Sequence, residues 1–147
     1  MKTVGAAWVS RADALPQARG AYALFIEIKK SPVLPPKFSH HRLKPGTYLY
    51  AGSARGPGGI KARCARHLAE TKTRRWHVDW LTSQATRLKV LALPDMTECA
   101  LIHILSVRGE NVFPLPRFGS SDCRTCPAHL MKTTLTCQQL HAILHAA

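Results

Sequence analysis

Arg63 and His67 stand four residues apart in the stretch Arg63-Cys64-Ala65-Arg66-His67-Leu68, so on a helix they project from one face. An arginine there could hold a phosphate oxygen, and the imidazole could transfer a proton or fix a water. Glu98 is the single acidic residue between Asp95 and Glu110, and it stands where a helix should begin. One carboxylate and several waters are an ordinary way to hold Mg²⁺ or Mn²⁺. Tyr22 and Tyr50 fall in two apolar segments that read as paired strands, from which both phenols could reach one cleft. Together these groups suit phosphodiester hydrolysis. That reaction asks for a positioned water, a metal ion at the scissile phosphate and cations facing the charge that builds up. Each also has an ordinary structural use, since tyrosines half-bury in sheets and a glutamate favours a helix N-terminus.

The charge distribution supports a polyanionic partner. The chain has 147 residues, 46% of them hydrophobic, and a formal charge of +13. Residues 1–78 carry 15 Lys/Arg against 3 Asp/Glu, whereas residues 79–147 carry 6 against 5. A one-sided excess of this size fits a face that meets nucleic acid, DNA in the first place and RNA as the alternative. The densest part runs from Arg55 through Lys61, Arg63, Arg66, Lys72 and Arg74 to Arg75, with Glu70 as its one acid. It begins at a Gly-rich turn and a helix N-terminus, a place suited to phosphate. Arg55, Lys61, Arg66, Lys72, Arg74 and Arg75 are therefore expected along a nucleic-acid backbone, read with little sequence preference. Trp76 and Trp80 could stack unpaired bases, although such a pair more often packs in a core, and His77 belongs to the same track. The cations do not follow an amphipathic helix, which argues against a membrane surface.

These groups need elements to hold them. Residues 21–28 alternate as a strand with Leu24, Ile26 and Ile28 on one face, and residues 47–51 form a second strand. The connection 29–45 is long for a hairpin and leaves room for a short strand or mobile chain. A helix over roughly 60–71, a short helix over 77–83 and a third strand over 87–93 follow. Another helix runs from 97 to about 107, residues 109–128 look irregular, and a closing helix covers about 135–145. The expected fold is a single α/β (α+β) domain over 1–147, a small, mainly antiparallel three-stranded sheet flanked by helices. No apolar run approaches the roughly 20 residues that span a bilayer. The first twenty residues lack a signal-peptide core, so the expected location is the cytoplasm.

Five cysteines, Cys64, Cys99, Cys123, Cys126 and Cys137, make an odd number, and reduced thiols are the default there. Cys123-x2-Cys126-x2-His129 offers three zinc ligands, with Cys137 or His141 as a fourth. Without a second Cys-x2-Cys pair, the expectation is that the cysteines pack and that Ser120, Ser121 and Asp122 form a polar edge to the cleft. His141 and His145 read as surface residues.

The order of these motifs resembles the GIY-YIG nuclease superfamily. Gly20-Ala21-Tyr22 begins one strand, Tyr50-Ala51-Gly52 ends the next, Arg63 to Leu68 form the following helix, and Glu98 opens a later one. Trp76-His77-Val78-Asp79-Trp80-Leu81 and the tail Phe118-Gly119-Ser120-Ser121-Asp122-Cys123 are similar to its Uri branch. The likeness covers about residues 18–131. It implies a metal-dependent endonuclease that hydrolyses DNA in one step with one metal ion. Tyr22, Tyr50, Arg63, His67 and Glu98 would be catalytic, with Tyr22 the base or water-positioning group and Tyr50 its partner. A tyrosine base needs a lowered pKa, which nearby arginine and metal would supply. With no room for a separate recognition domain, weak sequence specificity follows. The competing readings are a non-catalytic nucleic-acid-binding module of the same fold and a zinc-stabilised interaction domain.

Overall fold

The structure, a computed structural model, describes residues 4, 5, 7–120 and 123–147. An interior strand, β1 (Gly20–Ile28), pairs antiparallel with β2 (Gly46–Ala54) on one side and β3 (Arg87–Pro94) on the other. Core layers pack on both faces of the sheet, so β1 is buried on both sides. In β1, Tyr22, Leu24, Ile26 and Ile28 face one way, and Ala21, Ala23 and Phe25 face the other.

The helices divide between those faces. α1 (Gly59–Leu68) and α2 (His77–Thr82) bring Ile60, Cys64, Val78 and Leu81 onto the Tyr22 face. α3 (Glu98–Ser106) and the last helix, α4 (Cys137–Ala146), place Leu101, Ile102, Leu105, Leu140 and Leu144 on the Ala21 face. Each fully buried Leu or Ile is worth about 1.5–3 kcal/mol relative to exposure, so both layers contribute materially. Thr97 caps α3 by accepting from the Ala100 N–H, and Thr136 with Gln139 forms a capping box on α4.

The sheet has five strands rather than three. β4 (Asn111–Val112) and β5 (Leu130–Thr133) complete the order β3-β1-β2-β5-β4. Both are short, and β5 has the apolar-polar sequence Leu-Met-Lys-Thr, too brief for a periodic signal. The connection 29–45 holds no strand; a single 3₁₀ turn at Pro36–Phe38 lets Leu34, Phe38 and Leu43 cover the Tyr22 face. The first long helix ends at Leu68, short of residue 71, because Ala69 is extended and the chain doubles back. The closing helix starts at Cys137, two residues later than expected.

The described residues of loop 113–129, between β4 and β5, are irregular yet tied down. Arg117 N donates to Pro127 O at 2.7 Å, His129 N to Phe118 O at 2.9 Å and Cys123 N to Ser120 O at 2.9 Å. Leu115 and Phe118 bury against the Tyr22 face, so the loop is part of the core. Ser121 and Asp122, expected at the cleft edge, lie outside the described residues.

Candidate active site

Period-two geometry puts the two tyrosines on one face. In the β1–β2 register Tyr22 lies opposite Gly52 and Leu24 opposite Tyr50, so Tyr22 and Tyr50 are diagonal neighbours. α1 crosses that face and delivers Arg63 and His67. A cleft of about 620 Å³ opens here, and Tyr22, Tyr50, Arg63 and Glu98 all line it. His67 stands behind Tyr22, with its Nε2 2.6 Å from the Tyr22 hydroxyl. The five residues singled out by type and spacing therefore meet at one place.

Two glycines make room for them. A Cβ on Gly52 would lie 2.1 Å from Cζ of Tyr22, and one on Gly119 would lie 2.7 Å from the Tyr50 ring. Gly119 also holds φ +73°, the left-handed region, and donates its N–H to His77 Nδ1 at 3.0 Å. Gly52→Ala is expected to cost about 1–3 kcal/mol through overpacking and to push Tyr22 off His67. Urea denaturation checks the first effect. An unchanged midpoint would mean that the Tyr22 ring does not fill this space.

Burial dominates the electrostatics. It raises the Tyr22 pKa well above 10, helped by Tyr50 and Cys64 and opposed by Arg63. Burial also pushes Tyr50 up to about 12, again against the pull of Arg63. The expectation of lowered tyrosine pKa values thus fails for the protein by itself, because desolvation outweighs the one nearby guanidinium. His67 moves the other way. Burial, with smaller help from Lys72, Arg66 and Arg63, lowers it to about 3 against the pull of Asp79. At neutral pH a protonated phenol thus meets a neutral imidazole, and Tyr22 Oη and His67 Nε2 share one hydrogen bond. His67 Nδ1 is buried without a hydrogen-bond partner among the described residues.

This burial has a consequence for acid stability. Between pH 6.5 and 3, His67 binds its proton in the unfolded chain and not in the folded one. Its contribution is complete above pH 6.5 and falls by about 1.4 kcal/mol per unit as the pH drops through that window. Urea midpoints of wild type and His67→Gln should therefore converge on acidification. Parallel curves from pH 7 to 4 would contradict the assignment.

The basic residues separate into two groups. Arg63 and Arg75 line the cleft, joined by Arg124, which lies outside the basic stretch and carries no local signal of its place here. Arg55 and Arg74 are exposed and Lys61 half-buried, away from the lining. Arg66 and Lys72 are engaged within the fold instead of being free for a nucleic-acid backbone. The Arg66 guanidinium grips the fully buried carboxylate of Asp79 at 3.0 and 2.7 Å. Lys72 Nζ donates to the His67 carbonyl and to Thr82 Oγ1. The N-terminus of α1 is not a phosphate site either. Ile60 N–H and Lys61 N–H donate to Ala18 O and Pro16 O, both at 2.9 Å. Trp76 is half-buried in the cleft wall, and the guanidiniums of Arg63 and Arg66 lie 4.4 and 4.0 Å from its ring centroid. Its ring is therefore covered by protein cations and is not a bare stacking shelf. Trp80 carries the Arg74 guanidinium at 5.5 Å.

His77 lines the cleft, with its Nδ1 accepting from Gly119, so its proton sits on Nε2. Burial and Lys37 both lower its pKa. Ser120 also lines the cleft, and its hydroxyl is buried without a partner among the described residues. Asp79, to which the sequence assigned no role, is the hub that orders this wall. Besides Arg66 it accepts the N–H groups of Arg75 at 2.7 Å and Trp76 at 2.9 Å.

Glu98, the first residue of α3, is the only carboxylate lining the cleft among the described residues. A hard divalent cation with mostly water ligands fits such a donor set, since Mg²⁺ commonly takes one or two carboxylates. Beside it, Cys99 joins Cys123, Cys126 and His129 in a cluster of ligand-type side chains. The expected fourth members, Cys137 and His141, lie elsewhere. They line a separate cavity with Trp8 and Arg87, where Trp8 Nε1 donates to Cys137 O and His141 Nε2 meets Gly5 O. Cys99 was hidden because it sits on a helix, far upstream of the loop motif.

No helix among the described residues is long and apolar enough to cross a membrane. A family model described as a domain of unknown function, DUF123, matches residues 21–147. No curated protein and no solved structure matches the chain.

Proposed function

We propose that this chain, which belongs to the DUF123 family, is a metal-dependent endonuclease of the GIY-YIG type that hydrolyses DNA with low sequence specificity. One observation carries the reading. Tyr22, Tyr50, Arg63 and Glu98 line a single cleft, and His67 is hydrogen-bonded to the first of them.

Each group has a role that its surroundings support. Arg63, beside Arg75 and Arg124, offers the positive field that the extra charge on a phosphorane requires. Tyr22 positions the attacking water. The phenol is protonated, so it takes the water's proton only while passing its own to Nε2 of neutral His67. The water O–H and the phenol O–H break, and the water oxygen bonds to phosphorus while the bond from phosphorus to the leaving oxygen breaks. The leaving oxygen takes a proton from water, and His67 ends as an imidazolium that returns its proton to solvent. Its low pKa makes that ion short-lived, and the Asp79 carboxylate is the group that favours it. Tyr50 packs between this pair and Gly119, and so fixes the width of the cleft. Mg²⁺ held by Glu98 and waters would polarise the scissile phosphate and ease departure of the leaving oxygen.

The family description assigns no activity, so the test must separate cutting from holding. Supercoiled plasmid and single-stranded DNA are incubated with the protein in Mg²⁺, in Mn²⁺ and in EDTA, and binding is followed against salt. The expected result is nicking with either metal, none in EDTA, and binding that weakens steeply as salt rises. Salt-sensitive binding without nicking would replace this reading with that of a non-catalytic DNA-binding module.

A further inference from the structure

Cys99 is the second residue of α3, while Cys123, Cys126 and His129 close loop 113–129 where the chain returns to β5. One ligand-type atom from each of the four lies within 4.8 Å of the others. The sulfurs of Cys99 and Cys123 are 3.5 Å apart. That is far beyond the ~2.0 Å of a disulfide. It is close to the ~3.8 Å edge of a tetrahedron built on ~2.3 Å zinc–sulfur bonds.

The surroundings of these sulfurs suit thiolates. Cys126 N–H donates to Cys123 Sγ at 3.4 Å, and the Thr125 hydroxyl donates to Cys99 Sγ at 3.6 Å. Donors of this kind commonly surround metal-bound sulfur. His129 supplies an independent observation. Its Nε2 is buried without a hydrogen-bond partner among the described residues, an arrangement that is unfavourable unless something pairs with the lone pair or proton.

We infer that Cys99, Cys123, Cys126 and His129 hold one Zn²⁺ in a closed, four-ligand structural site. Three thiolates and an imidazole are soft ligands, which select zinc and not the hard cation that Glu98 suits. On binding, the thiols release their protons to solvent and the four ligands form bonds to the metal, with no change of oxidation state. All four positions are taken, so this zinc has no place for water or substrate. Its work is mechanical. It fastens loop 113–129, which carries Gly119 and Ser120, to the turn of α3 that carries Glu98. The cleft wall on that side would then be held by metal bonds. This explains how a long loop, with no helix or strand among its described residues, can present a defined surface.

The test does not depend on DNA cleavage. Protein purified without chelator is analysed for metal, and zinc is then exchanged for Co²⁺. The expected result is one zinc per chain, with the sulfur-to-cobalt charge-transfer and intense visible bands of a tetrahedral thiolate site. Cys99→Ser and Cys126→Ser should each weaken zinc retention against a competing chelator by 10-fold or more, while Cys137→Ser leaves it unchanged. Absence of zinc together with absence of the cobalt bands in the wild-type protein would overturn the inference, whatever the variants do. A Cys99–Cys123 disulfide in freshly purified protein would overturn it as well.

Discussion

Glu98→Gln is expected to leave the protein folded and to lower DNA cleavage about 10³-fold. The substitution keeps the shape of the side chain and removes its charge. On stability the effect is small. Glu98 is half-buried at the first position of α3, where a negative charge favours the helix dipole by about 0.3–1 kcal/mol. On the reaction the effect is large, because no other described side chain in the cleft carries a carboxylate that could hold the cation. The same variant separates two roles. DNA affinity should hold or rise slightly, since a negative charge has left a cleft lined by Arg63, Arg75 and Arg124. Plasmid nicking and filter binding, measured on one preparation, check both halves. Cleavage within a factor of three of wild type would remove Glu98 from the chemistry.

Asp79→Ala should do the reverse and act on the fold. Its carboxylate is fully buried and accepts from both terminal nitrogens of Arg66 and from the N–H groups of Arg75 and Trp76. Burial alone would raise its pKa, but the Arg66 pair and the two backbone donors prevail and lower it. Removing one partner of such a pair leaves a half-buried guanidinium without its counter-charge, at a cost of about 3–5 kcal/mol. Domains of this size are stable by roughly 5–15 kcal/mol, so the variant should give up a large share of its stability. Asp79→Asn retains acceptor capacity for the backbone donors and should lose less. Urea midpoints at pH 7 give the comparison. A loss below 1 kcal/mol for the alanine variant would mean that the Arg66–Asp79 pair is replaceable by water.

These two residues also mark what was legible in the sequence. Glu98 was readable because a lone acid at the head of an amphipathic segment is a local signal. Tyr22 and Tyr50 were readable through strand periodicity, and Arg63 and His67 through helical spacing. Asp79 was invisible as a hub, since nothing local says that its partner is Arg66, on a different helix. β5 was missed because four residues are too few to set a period, and β4 because two residues set none. Burial reversed two further expectations. Arg66 and Lys72 are expected along a nucleic-acid backbone, yet one neutralises Asp79 and the other caps the end of α1 at the His67 carbonyl. The tyrosine pKa values rise because Tyr22 and Tyr50 are desolvated on β1 and β2, both interior strands of the sheet, a fact of topology that no motif encodes.

Tyr22, Arg63 and Glu98 line one cleft, which we propose to be a hydrolytic centre. Single-turnover cleavage of end-labelled DNA in Mg²⁺ tests it most directly, with wild type, Tyr22→Phe, Arg63→Ala and Glu98→Gln compared at saturating protein. The wild-type chain should cut. Each variant should bind with affinity within several-fold of wild type and lose at least about 10²-fold in the cleavage rate. Wild-type protein that saturates the DNA and leaves it intact, or variants that cut at the wild-type rate, would contradict the account.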